Sequence, residues 1–343
     1  MTGKATYKTH LILLLVLLVL FFITNLSLGS VFIPFKSITN ILLGDDTIKQ
    51  SWQHIILNYR LPKAITATIV GAGLSVCGLL MQTLFRNPLA GPFVLGISSG
   101  ASLGVAILVL GLSFIGGNIL ISTTSNLALV TAASTGALFV LSAVILVSRK
   151  VKNTMSILII GLMFGSFTAA IISVLAYFSD AESLQQYIFW TFGSLGNLGW
   201  DELFILVAIF IICIIPLITI IKPLNSLLLG ENYAVSLGVN IKKTRNSILI
   251  TTGVLTGVIT AFSGPIAFIG LAVPHLTKII FKTANHGVLL PAVGILGAII
   301  MLISDTIAQL PNLEYTLPIN AVTSLFGAPI VIWLLIRKRK VYY

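Results

Sequence analysis

Apolar residues run, again and again along this 343-residue chain, for close to the ~20 residues of helix needed to cross bilayer hydrocarbon. Marked against their polar breaks, ten runs fall at 10–29, 61–85, 93–112, 119–148, 154–178, 202–221, 247–262, 265–281, 288–308 and 318–336. The chain is 57% hydrophobic and only 8% charged, whereas a soluble domain carries about 25% charged residues. Such a chain has too few polar groups to cover a surface facing water. In hydrocarbon, only helices and closed barrels satisfy their own backbone groups, and runs of this length select helices. The expected fold is all-α and polytopic, ten transmembrane helices in a single domain over 1–343. The runs at 247–262 and 265–281 are short and separated by little more than "SGPI", so one or both are expected to be tilted or broken. Whether 265–281 spans fully stays open.

A net charge of +11 fits orientation signals in short loops better than nucleic acid, because Lys and Arg concentrate on the cytoplasmic side of membrane proteins. Ten spans put both termini on one side. With that side cytoplasmic, only Lys36, Lys49, Arg60 and Lys63 of the 20 basic residues lie outside. Both termini are therefore expected to be cytoplasmic, with a retained first helix over 10–29. In "ILNYRLPKAITATIVGAGLSVCGLLMQTLFRNPLAGP" (55–91), Arg86 then marks the inner end, and Arg60 and Lys63 stand against the rule.

The chain carries no catalytic constellation. Cys77 and Cys213 sit inside apolar runs, and His10, His54, His275 and His286 are scattered, so no metal spacing arises and no cofactor is expected. No G-x-x-x-x-G-K-[ST] phosphate loop occurs; if ATP drives this protein, another subunit binds it. Asp305 is the one acid well inside a run, which makes it the candidate coupling site of an ion-driven secondary carrier. The longest inner loop, "KPLNSLLLGENYAVSLGVNIKKTRN" (222–246), is apolar enough to be expected to fold into short helices that dock on a partner. Glycines at 96/100/104, 161/165 and 253/257 recur every four residues, the spacing that lets helices approach closely in lipid. A Gly-Pro followed by a short apolar helix occurs at 91–92 and again at 264–265, a weak echo of an inverted repeat.

From "NYRLPKAITATIVGAGLSVCGLLMQTLFRNPLAGPFVLGISSGASLG" (58–104) through "LLLGENYAVSLGVN" (227–240) and "GPIAFIGLAVPHLTKIIFKTANHGVLLP" (264–291) to "LPINAVTSLFGAPIVIWLL" (317–335), the chain resembles the iron-siderophore and cobalamin permeases of ATP-binding-cassette importers, the FecCD type. The resemblance implies a permease in the cell (inner) membrane, paired with a second copy, above two ATPase subunits and beneath a periplasmic or lipid-anchored substrate-binding protein. The permease itself would not be an enzyme. The implied cargo is a ferric siderophore or related iron chelate, with haem or cobalamin as the alternative. Arg60 and Lys63, in "RLPK", match the basic pair that meets acids of the binding protein. Gln309 stands where some relatives carry a third basic residue. Leu229, Gly230, Glu231, Gly238 and Val239 match the segment seated in the ATPase, and Asn153, Thr154 and Met155 match the cytoplasmic gate.

Overall fold

The computed structural model describes residues 2–44, 48–114, 125–151, 154–309 and 315–336. All regular structure among them is helical: α1 (Thr2–Ser27), α2 (Phe35–Leu42), α3 (Gln50–Ile55), a π-helical turn (Ile56–Arg60), α4 (Leu61–Phe85), a 3-10 turn (Pro92–Leu95), α5 (Ile97–Phe114), α6 (Asn126–Lys150), α7 (Thr154–Phe178), α8 (Ala181–Thr191), α9 (Trp200–Leu228), α10 (Glu231–Ser236), α11 (Ile241–Ser263), α12 (Ile269–Phe281), α13 (His286–Ala308) and α14 (Ile319–Ile336). Among the described residues, seven stretches are long and apolar enough to cross a bilayer: Tyr7–Ser27, Gln50–Phe85, Asn126–Lys150, Thr154–Phe178, Trp200–Leu228, Ile241–Ser263 and His286–Ala308. Three more apolar helices are shorter, at Ile97–Gly111, Ile269–Phe281 and Ile319–Trp333. Each expected run thus contains a helix, and among the described residues seven of these helices meet the length of a full crossing.

Several boundaries differ from the sequence reading, for physical reasons. The helix expected from 61 starts at Gln50 and runs on through the π-helical turn that ends at Arg60. The ninth helix continues through Pro216 and Pro223 to Leu228, into what reads as loop; proline is tolerated in membrane helices where neighbours satisfy the freed carbonyls. α8 is an unforeseen short helix, started by Asp180, whose carboxylate accepts from the Ser183 N–H at 2.8 Å, an N-cap of the usual kind. The expected start of the fourth run, at 119, lies outside the described residues.

The chain divides into two compact units, Met1–Val76 with Ser194–Ala208 and Ala267–Tyr343, and Cys77–Gly193 with Ile209–Ile266. In the first, α1 lies along α12 and α13 through Leu14, Phe281, Ala292 and Ile299. α4 meets α13 where a Cβ on Gly71 would lie 2.3 Å from the Gly297 carbonyl oxygen. In the second, α5 crosses α6 at equally close range. A Cβ on Gly104 would sit 2.0 Å from the Ala132 oxygen, and one on Gly136 2.1 Å from the Gly100 oxygen. α11 packs on α6 through Gly253 against Leu141 and Gly257 against Ala137, and Ser98 and Thr260 share a 3.1 Å hydrogen bond between α5 and α11. The glycine spacings of the sequence are therefore contact points between helices.

Gly104→Ala should force α5 and α6 apart and cost about 1–3 kcal/mol, read as a lowered unfolding temperature in detergent. Gly111→Ala, on the same helix with no atom closer than 4.0 Å, should leave that temperature unchanged. Equal effects from both would remove the close crossing as the cause.

Candidate functional site

Two places gather the polar side chains that the sequence singles out. The first, in the first unit, lies at the C-terminal end of α1. The last carbonyls of a helix have no partner within it, and in an apolar setting an unpaired carbonyl is costly. Arg60 supplies the donors. Its Nη1 donates to the Leu26 and Ser27 oxygens at 2.7 and 3.1 Å, and its Nη2 donates to the Val31 oxygen. The side chain fits because residue 29 is glycine, where a Cβ would lie 2.6 Å from Nη2. Arg60 is only 7% exposed. The expectation of an exposed outer pair is corrected here: the Arg60 guanidinium is spent on carbonyls of its own chain.

Lys63, one turn further on, pairs with Asp305 of α13 at 3.0 Å; the lysine side chain is 22% exposed and the aspartate 2%. The other carboxylate oxygen of Asp305 accepts from Asn25 Nδ2 at 3.0 Å and from Gln309 Nε2 at 2.7 Å. Asn25 also donates to Thr306 Oγ1 at 3.0 Å. Three elements, α1, α4 and α13, meet on one carboxylate. An acid with two amide donors and a paired cation is a structural counter-ion, which removes the basis for reading Asp305 as the open coupling group of an ion-driven carrier. Gln309, the residue that departs from the third basic position of relatives, is here a ligand of that carboxylate.

The second place is a cleft of about 930 Å³ in the second unit, lined by residues from the end of α4, the start of α7 and the α9–α10 junction. Arg86, just past α4, adopts a left-handed φ of 48°, a conformation that costs a non-glycine residue on the order of 1 kcal/mol. Its Nη2 donates to the Leu227 oxygen at 2.7 Å, near the end of α9, which offsets that cost. Gly230, with φ +125°, turns the chain out of α9 into α10. Glu231, the first residue of α10, accepts from Thr154 Oγ1 at 2.7 Å. Past the end of α10, Gly238 takes φ +80°, and the Val239 N–H reaches back to the Ala234 oxygen at 3.0 Å. The short helix expected within 222–246 is present, and the structure brings Leu229, Gly230 and Glu231 into one cleft with Thr154 and Met155. Gly238 and Val239 do not line that cleft. Asn153 lies outside the described residues.

The sequence profile of the FecCD transport family matches residues 16–337. The chain belongs to the FecCD transport family. The hemin transport system permease protein HmuU of Yersinia pestis is 35% identical over 345 residues, 99% of each chain. The vitamin B12 import system permease protein BtuC of Salmonella typhi is 35% identical over 300 residues, 86% of this chain and 87% of its own. A solved structure described as an inward-facing conformation of a metal-chelate type ABC transporter superposes with a TM-score of 0.83 at 30% identity, covering 96% of this chain and 99% of that one. This FecCD chain is accordingly a multi-pass protein of the cell membrane and a permease subunit of an ABC importer, and the carrier alternative built on Asp305 falls away. No group of three His, Cys, Asp or Glu side chains among the described residues has metal-holding geometry, and His275 is buried within α12.

Two functional features escape sequence reasoning in this FecCD chain. Arg86 reads only as an inner charge, and Arg245 as one of a basic run. Arg245, on α11, donates to the Ser148 oxygen at 3.2 Å and the Val151 oxygen at 3.5 Å, at the end of α6. Neither role shows in the local sequence, because the carbonyls lie 141 and 97 residues away along the chain.

Lys63→Ala leaves the buried Asp305 carboxylate without its counter-charge and should cost about 3 kcal/mol of stability. The double variant Lys63→Met with Asp305→Leu should regain most of that loss, measured by unfolding of the detergent-purified protein. A silent Lys63→Ala would show the pair to be unimportant to the fold.

Proposed function

We propose that this chain imports an iron chelate, a ferric siderophore first, from the exterior or periplasm to the cytoplasm, with energy from separate ATPase subunits. The observation that carries this reading is the cleft at the α9–α10 junction. There the segment matched to the family's ATPase-docking motif shares a wall with the residues matched to its inner gate. In the proposed assembly the permease is a homodimer of ten-span subunits with both termini cytoplasmic, and each copy seats α10 and its flanking residues Leu229, Gly230, Glu231, Gly238 and Val239 on an ATPase. The exposed apolar side chains Leu229, Tyr233, Val235 and Leu237 suit such a seat, because apolar surface at the end of a membrane domain needs a protein cover. Asn153, Thr154 and Met155 form the inner gate.

On the outer side, a substrate-binding protein docks over the α1–α4 corner. Lys63 keeps part of its side chain accessible and is the group that an acid of that partner reaches. Arg60 contributes by holding the corner's shape. Charge complementarity there would steer association more than strengthen it. Haem is the second reading for the cargo, favoured by the end-to-end match with a hemin permease. Cobalamin follows from the match with a vitamin B12 permease.

Reconstitution of the chain with the ATPase that co-purifies with it, in proteoliposomes, tests this. ATP should drive uptake of a ferric siderophore over haemin and cyanocobalamin supplied in parallel. Preference for haemin or cyanocobalamin would replace the siderophore reading. Uptake driven by an ion gradient with no ATPase present would overturn the importer itself.

A further inference from the structure

The reading above places an ATPase seat and a gate side by side but leaves open what connects them. α10 is only six residues long, too short to hold its own position by helix propensity alone. It has two sides. Leu229, Tyr233, Val235 and Leu237 face outward and are exposed, while Ala234 is fully buried. The segment is tied on its inner side at two points. The Leu227 carbonyl just before it is held by Arg86 at 2.7 Å. The Glu231 carboxylate is held by the Thr154 hydroxyl at 2.7 Å.

The second tie differs in kind from the first. Thr154 is the first residue of α7 and is largely buried, and Met155 beside it is 50% exposed on the cleft wall. A carboxylate at the start of a 25-residue helix also meets the positive end of that helix's dipole, and a hydrogen bond to an ionised acceptor is about twice as strong as a neutral one. The link therefore joins the element that a partner would push to the first turn of the helix whose displacement would open the path.

We propose that the Thr154–Glu231 hydrogen bond is the connection through which movement of α10 repositions the start of α7, making both positioning residues for transport rather than contacts to cargo. This rests on the importer reading. A rigid-body shift of α10 caused by the ATPase drags the Glu231 carboxylate, and α7 follows through the hydroxyl. Without the bond, α10 moves against the ATPase while the start of α7 stays behind. ATP is then hydrolysed with little translocation.

The test reads the gate without needing the cargo. In the reconstituted complex, Met155→Cys is labelled with a water-soluble maleimide before and after ATP with vanadate; the native Cys77 and Cys213 are buried and serve as silent controls. The ATP-dependent change in labelling rate should fall about tenfold or more in Thr154→Val and Glu231→Ala, a loss in line with one charged hydrogen bond. Thr154→Ser, which keeps the hydroxyl, and Glu231→Gln, which keeps an acceptor oxygen, should restore most of it. ATPase co-purification and hydrolysis should persist in Thr154→Val and Thr154→Ser. The pair Thr154→Val with Glu231→Ala should be no worse than either alone. An undiminished change in Thr154→Val would overturn the proposal. So would a change in Thr154→Ser as small as in Thr154→Val, which would make the loss one of packing and not of the hydroxyl. An absent ATP response in the Met155→Cys parent, with the ATPase bound and active, would instead sink the assignment of Met155 to the gate and the importer reading on which the proposal stands.

Discussion

Unpaired carbonyls at the ends of helices are the constraint on which this structure depends. A membrane helix has four of them, and away from water each must find a donor. Here three arginines from other parts of the chain provide them: Arg60 at the end of α1, Arg86 at the end of α9 and Arg245 at the end of α6. The planar guanidinium suits the task because its several N–H groups diverge, so Arg60 serves three carbonyls and Arg245 two. Its positive charge also complements the negative end of the helix dipole. Each such contact joins the start or end of one helix to the end of another, which locks helix order at the membrane boundary where packing of apolar side chains specifies least.

This changes the meaning of the basic residues. Counting Lys and Arg by loop orients the chain, and that count needs only their positions. It does not reveal that the guanidinium of Arg60, the apparent exception to the orientation rule, is buried against the chain's own backbone. The Lys63 charge beside it is paired with Asp305. A corner built this way keeps one positive charge without a counter-ion among the described contacts, the Arg60 guanidinium, held against backbone carbonyls.

What was legible in the sequence was what depends on near neighbours. The apolar runs all became helices because length and composition decide them locally. The four-residue glycine spacings became crossings because a missing Cβ is a property of the residue itself. The short helix between 222 and 246 followed from an apolar stretch bounded by Gly230 and Gly238. What was not legible depends on distant partners. Lys63 and Asp305 are 242 positions apart, Arg60 and Leu26 are 34, and Thr154 and Glu231 are 77. The candidate gate and coupling residues were named through family resemblance, and only the fold puts Thr154, Met155, Leu229, Gly230 and Glu231 on one cleft. Helix ends moved as well: Pro216 and Pro223 look like stops, yet α9 continues past both.

The most direct measurement of the capping account is Arg60→Gln, followed for both unfolding temperature and association with the substrate-binding protein across a range of salt. Capping predicts a clear loss of stability, on the order of 2 kcal/mol for charged hydrogen bonds lost at a buried site, with an association that keeps the salt dependence of the unaltered chain. An unchanged unfolding temperature, together with weakened association whose salt dependence is flattened, would contradict it and return Arg60 to the docking surface.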